Sequence, residues 1–364
     1  MTPIEGAEIG SVVVVGTGLI GTSVALALRE RGVRVFLSDR DPAAVRLARG
    51  LGAGEEWTAD RTVDLAVIAV PPQFVAQQLL ELQKRETARV YTDVASVKVL
   101  PLTQAAQLGC DLSAFVAGHP LAGRERSGPA AARSDLFLGR PWAYCPTEVV
   151  SERALRTVVE LIGMCGGNPV RVSAQEHDRA VAIVSHAPHV TAAAVAARLA
   201  EASETALGLS GQGVRDVTRI AASDPALWMG ILSGNAIPVA EVIEAVVADL
   251  SAVARSLRSL AGDQSAMTDV TDLLSRGVRG TARIPGKHGG PARTYAVVQV
   301  LIGDRPGELA RLVQAAGQTG VNIEDIRLEH ASGLPLGAAE LYVQPEAAAV
   351  LAEGLRERGW QVPT

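Results

Sequence analysis

The chain has 364 residues, and its 34 Lys and Arg against 39 Asp and Glu give a net charge of -5. This length exceeds what one hydrophobic core usually holds, so we expect two or three domains. The charge is spread without a basic run, which argues against nucleic acid as a partner. Apolar runs such as 12–15 are too short to cross a bilayer, and residues 1–6 lack the basic and apolar regions of a signal peptide. The sequence therefore predicts a cytoplasmic protein with no membrane partner.

Three cysteines stand far apart, at Cys110, Cys145 and Cys165. Neither a disulfide framework nor a paired-cysteine metal site fits this spacing. We expect three buried thiols in a reducing compartment, and no metal.

Short apolar runs alternate with helical patterns over residues 1–173. Such runs are typical of strands buried on both faces of a parallel sheet that helices cover. The predicted strands are 11–15, 34–37, 65–70, 90–92 and 115–117, with 142–145 and 169–172 as later additions to the same sheet. The pattern predicts a doubly wound α/β domain.

The pattern of apolar residues changes at residue 174, after which no strand-like run occurs until the far end of the chain. Apolar residues at spacings of three and four over 238–260 predict a long helix with one apolar face. Pro238 fits its first turn. Residues 174–282 should therefore form an all-helical domain, and the long apolar face favours a homodimer.

Glycines and prolines over 283–291 are typical of a linker. The segments that follow are predicted as strand 295–302, helix 308–319, strands 323–329 and 338–343, helix 346–358 and a further strand at 361–362. This order predicts a small ferredoxin-like α+β domain over 292–364.

A glycine-rich turn joins the first predicted strand to a helix. It reads Gly16-Thr17-Gly18-Leu19-Ile20-Gly21. In this context the first glycine makes the turn, the second lets a pyrophosphate approach, and the third allows close helix–strand packing. Asp39 follows the second strand, where a carboxylate accepts hydrogen bonds from a ribose hydroxyl and repels a 2′-phosphate. We therefore predict a Rossmann-type domain that binds NAD rather than NADP, a preference that Arg40 weakens.

Polar residues follow two predicted strands, at 92–98 and 118–128, and recur at 185–189 and 211–221. An open α/β sheet binds its ligands beyond the carboxyl ends of its strands. Each segment alone has a structural explanation, since a histidine after a buried strand is more often an ordinary loop residue than a base. Their combination is what indicates a site.

Together these segments resemble the signature motifs of the prephenate dehydrogenase family. GHPLAGRERSG at 118–128 resembles its catalytic loop, SHAPH at 185–189 its S-H-x-P-H helix, and GQGVRDVTRIAASDP its G-G-G-F-R-D-x-T-R-I-A-x-S-D-P segment. The resemblance covers the first three-quarters of the chain. Modest departures at Leu121, Gln212 and Val214 leave the chemistry in place and bear on fine substrate preference.

The resemblance implies NAD-dependent oxidative decarboxylation of prephenate to 4-hydroxyphenylpyruvate in tyrosine biosynthesis. Hydride leaves the hydroxyl-bearing ring carbon for the nicotinamide, and loss of carbon dioxide aromatises the ring. His119 is then the base for the hydroxyl proton, since a neutral imidazole serves this role at pH 7. Ser96 is the implied partner that hydrogen-bonds this histidine and the substrate hydroxyl.

Prephenate is a dianion, so its site needs fixed positive charge. Arg219 is implied as the clamp, because a guanidinium binds a carboxylate through two hydrogen bonds. His189 is implied as a substrate-binding histidine, while His186 orients it or packs. Glu125 pairs with a basic residue at the site mouth or is a plain surface carboxylate. No spaced acidic or thiolate ligand completes a zinc site with the two histidines, and His177 receives no role.

The C-terminal part, with GDRPGEL at 303–309 and GVNI at 320–323, resembles an ACT domain, the family's usual ligand-binding appendage. This resemblance implies a tyrosine effector at the turn around Asp304 and Asn322. The alternative is that the domain only strengthens the dimer.

Other functions stay open. The substrate is alternatively arogenate or 4-amino-4-deoxyprephenate, and a more distant alternative is a non-catalytic amino-acid sensor. A sensor has no need of a base beside a cofactor, which argues against that alternative. A β-hydroxyacid dehydrogenase would need a catalytic lysine on the first long helix of the middle domain, and residues 174–198 contain none.

Overall fold

The computed structural model describes residues 9–58, 61–123, 128–259, 267–285, 294–330 and 336–363. The chain divides into two compact units, Met1–Ala248 and Asp249–Thr364. Each unit is described by itself below.

An eight-stranded sheet forms the centre of the first unit. Its strands are β1 (Ser11–Val15), β2 (Arg34–Ser38), β3 (Glu55–Glu56), β4 (Val63–Ile68), β5 (Ala88–Asp93), β6 (Phe115–Pro120), β7 (Pro141–Cys145) and β8 (Asn168–Arg171). They lie in the order β3-β2-β1-β4-β5-β6-β7-β8, and neighbours are parallel except β6 and β7. The first six strands follow the order 3-2-1-4-5-6 of a dinucleotide-binding sheet, so the predicted doubly wound fold is confirmed.

Helices cover both faces of this sheet. They are α1 (Leu19–Glu30), α2 (Pro42–Gly50), α3 (Val75–Lys84), α4 (Val99–Gln107) and α5 (Glu152–Met164). The central strand shows the effect on sequence: Val12 and Val14 pack into one hydrophobic core, and Val13 and Val15 into the other. Because both faces of β1 are buried, its residues are continuously apolar rather than alternating.

Several strand limits differ from the sequence-based prediction. β6 runs three residues beyond the predicted 115–117, so His119 lies within the strand rather than after it. β4 starts and ends two residues earlier than the predicted 65–70: Ala69 still donates to the carbonyl oxygen of Val15, and the chain bends at Val70. β3 was not predicted, since its two residues are exposed glutamates that carry no apolar signal.

The region after β8 is helical, as predicted. Its elements are α6 (Ala174–Val181), a π turn (Ala182–His186), α7 (Ala187–Leu199), α8 (Glu204–Gly208), α9 (Gln212–Thr218), α10 (Pro225–Gly234), α11 (Ala236–Ser259) and α12 (Thr268–Thr281). The long helix begins two residues before the predicted start, with Pro238 in its first turn. Among the described residues, one helical stretch, Ala174–Leu199, is long and apolar enough to cross a bilayer by length and composition alone.

The second unit contains a small α+β sheet. Its elements are β9 (Ala296–Gly303), α13 (Glu308–Gly317), β10 (Asp325–His330), β11 (Leu336–Val343) and α14 (Ala348–Glu357). The antiparallel strands lie in the order β10-β11-β9, and Gln361 pairs with Leu301 on the free side of β9. This is the ferredoxin-like order that the sequence predicted, with the last strand reduced to one bridge.

Candidate active site

Two glycines of the turn after β1 sit where no side chain fits. A Cβ on Gly16, whose φ is 101°, would lie 2.2 Å from the carbonyl oxygen of Ala69. A Cβ on Gly21 would lie 2.0 Å from the carbonyl oxygen of Gly16. A Cβ on Gly18 would meet no atom within 4 Å, so the space above Gly18 is open to a ligand. The turn thus keeps the strand and helix in contact and leaves its outer surface clear.

The N-terminus of α1 faces this open space. Its N-cap, Gly18, supplies no side-chain hydrogen bond, so first-turn N–H groups stay available to an anion. Asp39, at the end of β2, accepts hydrogen bonds from the backbone N–H of Thr17 (2.6 Å) and the Thr17 hydroxyl (3.0 Å). Arg40 is exposed beside it. A cradle of amides beside a carboxylate fits the pyrophosphate and ribose of a dinucleotide.

A buried ion pair joins the ends of β5 and β6. Neither Lys98 nor Asp93 has exposed side-chain surface, and the ammonium donates to the carboxylate and to the carbonyl oxygen of Gly118 at 2.5 Å. The N–H of Gly118 in turn donates to Asp93 at 3.0 Å. These bonds hold the backbone immediately before His119.

His119 lies near the end of β6 and is nearly buried. Its Nδ1 atom is 2.8 Å from Nε2 of His177, and Nδ1 of His177 is 2.7 Å from Oδ1 of Asp178. Burial lowers the pKa of His119 well below 6.5, and the neighbouring His177, Lys98 and His186 lower it further. His119 is therefore neutral at pH 7.

Asp178 is anchored to the loop that follows β5. Its two carboxylate oxygens accept the backbone N–H groups of Lys98 (2.8 Å) and Val99 (2.9 Å). Its carbonyl oxygen accepts the side-chain amide of Asn235 at 2.7 Å, and the same amide nitrogen lies 3.1 Å from Nδ1 of His186. The three histidines are thus tied to one buried polar network.

A π turn carries His186 and leads into α7, which carries His189. Pro188 has no N–H to donate to the carbonyl of Val184, so the regular helical bond is lost there and the backbone widens. Beyond the turn, the ring of His189 stacks on Trp228 with centroids 3.5 Å apart and an interplanar angle of 11°. Burial lowers the pKa of His189, and it lowers that of His186 to about 4.

Arg219 begins a short turn, Arg219–Ala221, that packs against α7. This contact brings the arginine to the helix that carries His189. Arg219 is exposed to solvent, and a guanidinium can bind a carboxylate through two hydrogen bonds.

The comparisons with known proteins agree with this geometry. Residues 24–171 match the nucleotide-binding domain of prephenate dehydrogenase, and residues 173–272 match its dimerization domain. "Probable prephenate dehydrogenase NovF" of Streptomyces niveus is 41% identical over 354 residues, covering 96% of this chain and 98% of that protein. The chain belongs to the prephenate dehydrogenase family.

Solved structures of this family share the fold. Prephenate dehydrogenase from Aquifex aeolicus, in complex with hydroxyphenyl propionate and NAD+, has a TM-score of 0.66 and 27% identity, covering 76% of this chain and 99% of that one. Arogenate dehydrogenase from Synechocystis has a TM-score of 0.60 and 26% identity, covering 74% and 99%. The match to the dimerization domain ends at residue 272, and the small C-terminal sheet lies beyond it.

The structure brings together three of the six side chains to which the prephenate dehydrogenase resemblance gave a catalytic or substrate-binding role. His119 and His186 belong to the buried hydrogen-bond network. His186 and His189 both contact the ring of Trp228. Ser96 is half-buried in the loop after β5, and no hydrogen bond joins it to His119 in the part of the chain that the structure describes. The ring partner of His119 is His177 instead. Glu125 lies outside the described residues, so its role stays a prediction.

Several polar residues of the site were missed from the sequence. They are His177, Asp178, Asn235, Lys98 and Asp93. Lys98 and Asp93 belong to the polar segment 92–98, so the sequence already indicated that part of the site. The adjacent His177 and Asp178 lie on the helix that leads to SHAPH, a weaker signal. No cluster of three or more metal-ligand side chains occurs among the residues that the structure describes.

The two predicted effector residues lie at opposite ends of the small sheet, so the structure does not bring them to one turn: Gly303, before Asp304, pairs with Leu336, whereas Asp325, after Asn322, pairs with Tyr342. Asp304 follows β9 and is exposed, and the side chain of Asn322 donates to Glu324 at 2.8 Å. Between them Gly307, with φ at 89°, starts α13 in the left-handed region that glycine tolerates.

Proposed function

We propose that the chain is an NAD-dependent dehydrogenase that converts prephenate to 4-hydroxyphenylpyruvate and carbon dioxide in tyrosine biosynthesis. One observation carries this proposal: a neutral histidine, His119, stands at the carboxyl end of β6, on the edge where β1 presents its glycine-rich turn. Parallel strands β1 and β6 place their carboxyl ends at the same edge of the sheet. A base and a nucleotide cradle are thereby brought to one site.

The chain's own groups would handle the substrate hydroxyl. Bound NAD would accept the hydride from the hydroxyl-bearing ring carbon. His119 takes the hydroxyl proton, because its pKa lies below 6.5 and its ring is neutral at pH 7. Loss of carbon dioxide from the quaternary carbon then restores the aromatic ring. We propose that Ser96 binds the same hydroxyl from the loop after β5.

Recognition of the dianion falls to the middle helices. Arg219 is proposed to clamp a carboxylate through its guanidinium. Burial lowers the pKa of His189, so at pH 7 that ring supplies a hydrogen bond rather than a charge. Its stacking on Trp228 fixes the plane of the ring, and His186 supports the same aromatic pair from the edge. Glu125 is proposed to pair with a basic residue at the site mouth.

The substrate experiment is direct. The purified chain is assayed with prephenate, with arogenate and with 4-amino-4-deoxyprephenate, each with NAD and NADP, by absorbance of the reduced cofactor. We expect the highest kcat/KM for prephenate with NAD. A higher value for arogenate, or for 4-amino-4-deoxyprephenate, would move the chain to a related substrate; the arogenate dehydrogenase among its structural neighbours is the reason to include that arm. No turnover with any of the three would favour the amino-acid sensor.

We propose a homodimer formed through the helical region, with domain limits at 1–173, 174–282 and 292–364. Val239 is buried within its own chain, whereas large apolar side chains further along remain exposed: Leu250 and Leu257 on α11, and Leu274 and Val278 on α12. Such side chains are commonly covered in an oligomer. Light scattering of the full chain tests the dimer.

We propose that the enzyme works in the cytoplasm and that its C-terminal sheet is an ACT domain responding to tyrosine. The three cysteines are free and buried, as suits a reducing compartment. The βαββα order and the left-handed Gly307 at the start of α13 support a ligand-binding turn near Asp304. Asn322 lies at the other end of the sheet and outside this turn. Tyrosine is the pathway's end product, which makes it the natural effector.

A further inference from the structure

We infer that His177 and Asp178 fix the tautomer of His119, so that Nε2 of His119, and not Nδ1, is the nitrogen that accepts the substrate proton. This inference rests on the proposed role of His119 as the base. His177 and Asp178 are positioning residues in this scheme, since both act through His119.

The chain of hydrogen bonds starts at Asp178. Its carboxylate accepts the backbone N–H groups of Lys98 and Val99, at 2.8 and 2.9 Å. An ionised carboxylate can only accept. Nδ1 of His177, which is 2.7 Å from Oδ1 of Asp178, must therefore carry a proton and donate it to this oxygen.

The next bond follows from the proton count of a neutral imidazole. A ring with Nδ1 protonated has a lone pair on Nε2. Nε2 of His177 therefore accepts, and Nδ1 of His119, which is 2.8 Å away, must donate. Neutral His119 then carries its own proton on Nδ1. Its remaining nitrogen, Nε2, has the lone pair, and no hydrogen bond to it occurs among the described residues.

The groups around His119 favour its neutral form. An imidazolium at His177 would donate from both nitrogens and would force the proton of His119 onto Nε2, which blocks the base. The ammonium of Lys98 stands near His119 and already lowers its pKa, as do His177 and His186. Asp93 is the direct partner of that ammonium, so Asp178 is left to orient His177.

The tautomer is measured on tag-free protein labelled with ¹⁵N in its histidine rings. The chain has 6 histidines, and spectra of His119→Asn and His177→Gln assign the two signals. We expect both rings protonated on Nδ1 at pH 7.5. A proton on Nε2 of His119, an imidazolium at His177, or a rapid mixture of tautomers at His119 would each overturn the inference.

Kinetics separates positioning from mere packing. The amide oxygen of His177→Gln can still accept from Nδ1 of His119, whereas His177→Leu removes the acceptor. We expect kcat to fall about 10- to 100-fold in the leucine variant, less than the 10²- to 10⁴-fold loss of the base itself, and to recover most of this in the glutamine variant. KM for NAD should be unchanged in both. Arg179→Gln, an exposed change on the same helix, is the matched control and should stay within twofold.

The outcomes divide cleanly. Equal losses in the glutamine and leucine variants, or no loss in either, would overturn the positioning role, and the tautomer spectrum decides the matter if the leucine variant does not fold. Turnover of prephenate by the unaltered chain tests the proposed function separately. If the protein does not turn over prephenate but His119 is protonated on Nδ1, the proposed function is wrong and the inferred tautomer is confirmed.

Discussion

Lys98 and Asp93 form an ion pair without exposed side-chain surface, between the carboxyl ends of β5 and β6. Replacing Lys98 by Met leaves an uncompensated carboxylate in the interior. We expect this to lower the free energy of unfolding by about 3–5 kcal/mol. Urea or thermal unfolding measures the change.

The control for the buried pair is an exposed one. On the surface, Nη1 of Arg49 lies 3.4 Å from Oε2 of Glu56. Arg49→Met should change the free energy of unfolding by less than about 1 kcal/mol. Adding Asp93→Asn to Lys98→Met should restore part of the loss, because the unpaired charge is gone. Similar small effects of Lys98→Met and Arg49→Met would contradict the structural role of the buried pair.

His119→Asn should retain the fold and NAD binding while hydride transfer falls by about 10²- to 10⁴-fold, the usual effect of removing a positioned base. Stopped-flow absorbance of the reduced cofactor gives the rate, and a binding titration gives the affinity for NAD. A rate within a few-fold of the unaltered chain would remove His119 from the mechanism.

The pH dependence of kcat/KM should reflect the low pKa of His119. Burial, and then His177, Lys98 and His186, hold this pKa well below 6.5. The active form is the neutral one, so activity is complete above that pKa and is lost as the pH falls through it. We expect a plateau from pH 6.5 to 8 and an acid limb centred below pH 6.5. An inflection assigned to His119 at or above 6.5 would show that its surroundings do not disfavour the charged ring.

Asp39 should set the choice between NAD and NADP. Its carboxylate would repel a 2′-phosphate, so we expect kcat/KM to favour NAD. Asp39→Asn should lower the NAD-to-NADP ratio about tenfold or more, since one charge repulsion near the surface is worth about 1–4 kcal/mol. The amide oxygen can still accept from Thr17, so the loop should persist. Arg40→Gln is the opposite test and should raise the ratio; equal use of both cofactors by the unaltered chain would refute the role of Asp39.

Removal of the residues after Pro291 tests regulation. The remaining chain still contains the glycine-rich turn, the buried histidines and Arg219, so we expect activity to persist. Inhibition by tyrosine, measured from micromolar to millimolar concentration, should disappear. Absence of inhibition in the full chain, or equal inhibition after truncation, would show that the C-terminal domain does not sense tyrosine.

The parallel sheet was predictable because burial on both faces leaves a continuous apolar run in each major strand, as β1 illustrates. The glycine-rich turn was predictable for a similar reason: the contacts of Gly16 and Gly21 with Ala69 and with each other exclude every side chain. β3 had no such signal. Its two glutamates are exposed and pair with Phe36 and Leu37 only through the backbone.

The relation of His177 to His119 could not be predicted from local pattern. The two residues are 58 positions apart, and Asp178 meets Lys98 across 80 positions. Helical periodicity places His177 on a buried face but does not say which strand end that face meets. The decisive contact depends on how α6 packs over the loop after β5, which is a property of the folded chain.

The π turn also bears on how this protein can vary in length. A π turn closes over one residue more than an α-helical turn, so deleting one residue from Ala182–His186 would make the helix regular and leave α7 facing in nearly the same direction relative to α6. Ile183 and Val184 are exposed, so the chain can lose either of them without losing a buried contact. The same deletion inside α7, between Ala187 and His189, would turn the helix by about 100° and take His189 off its stack on Trp228.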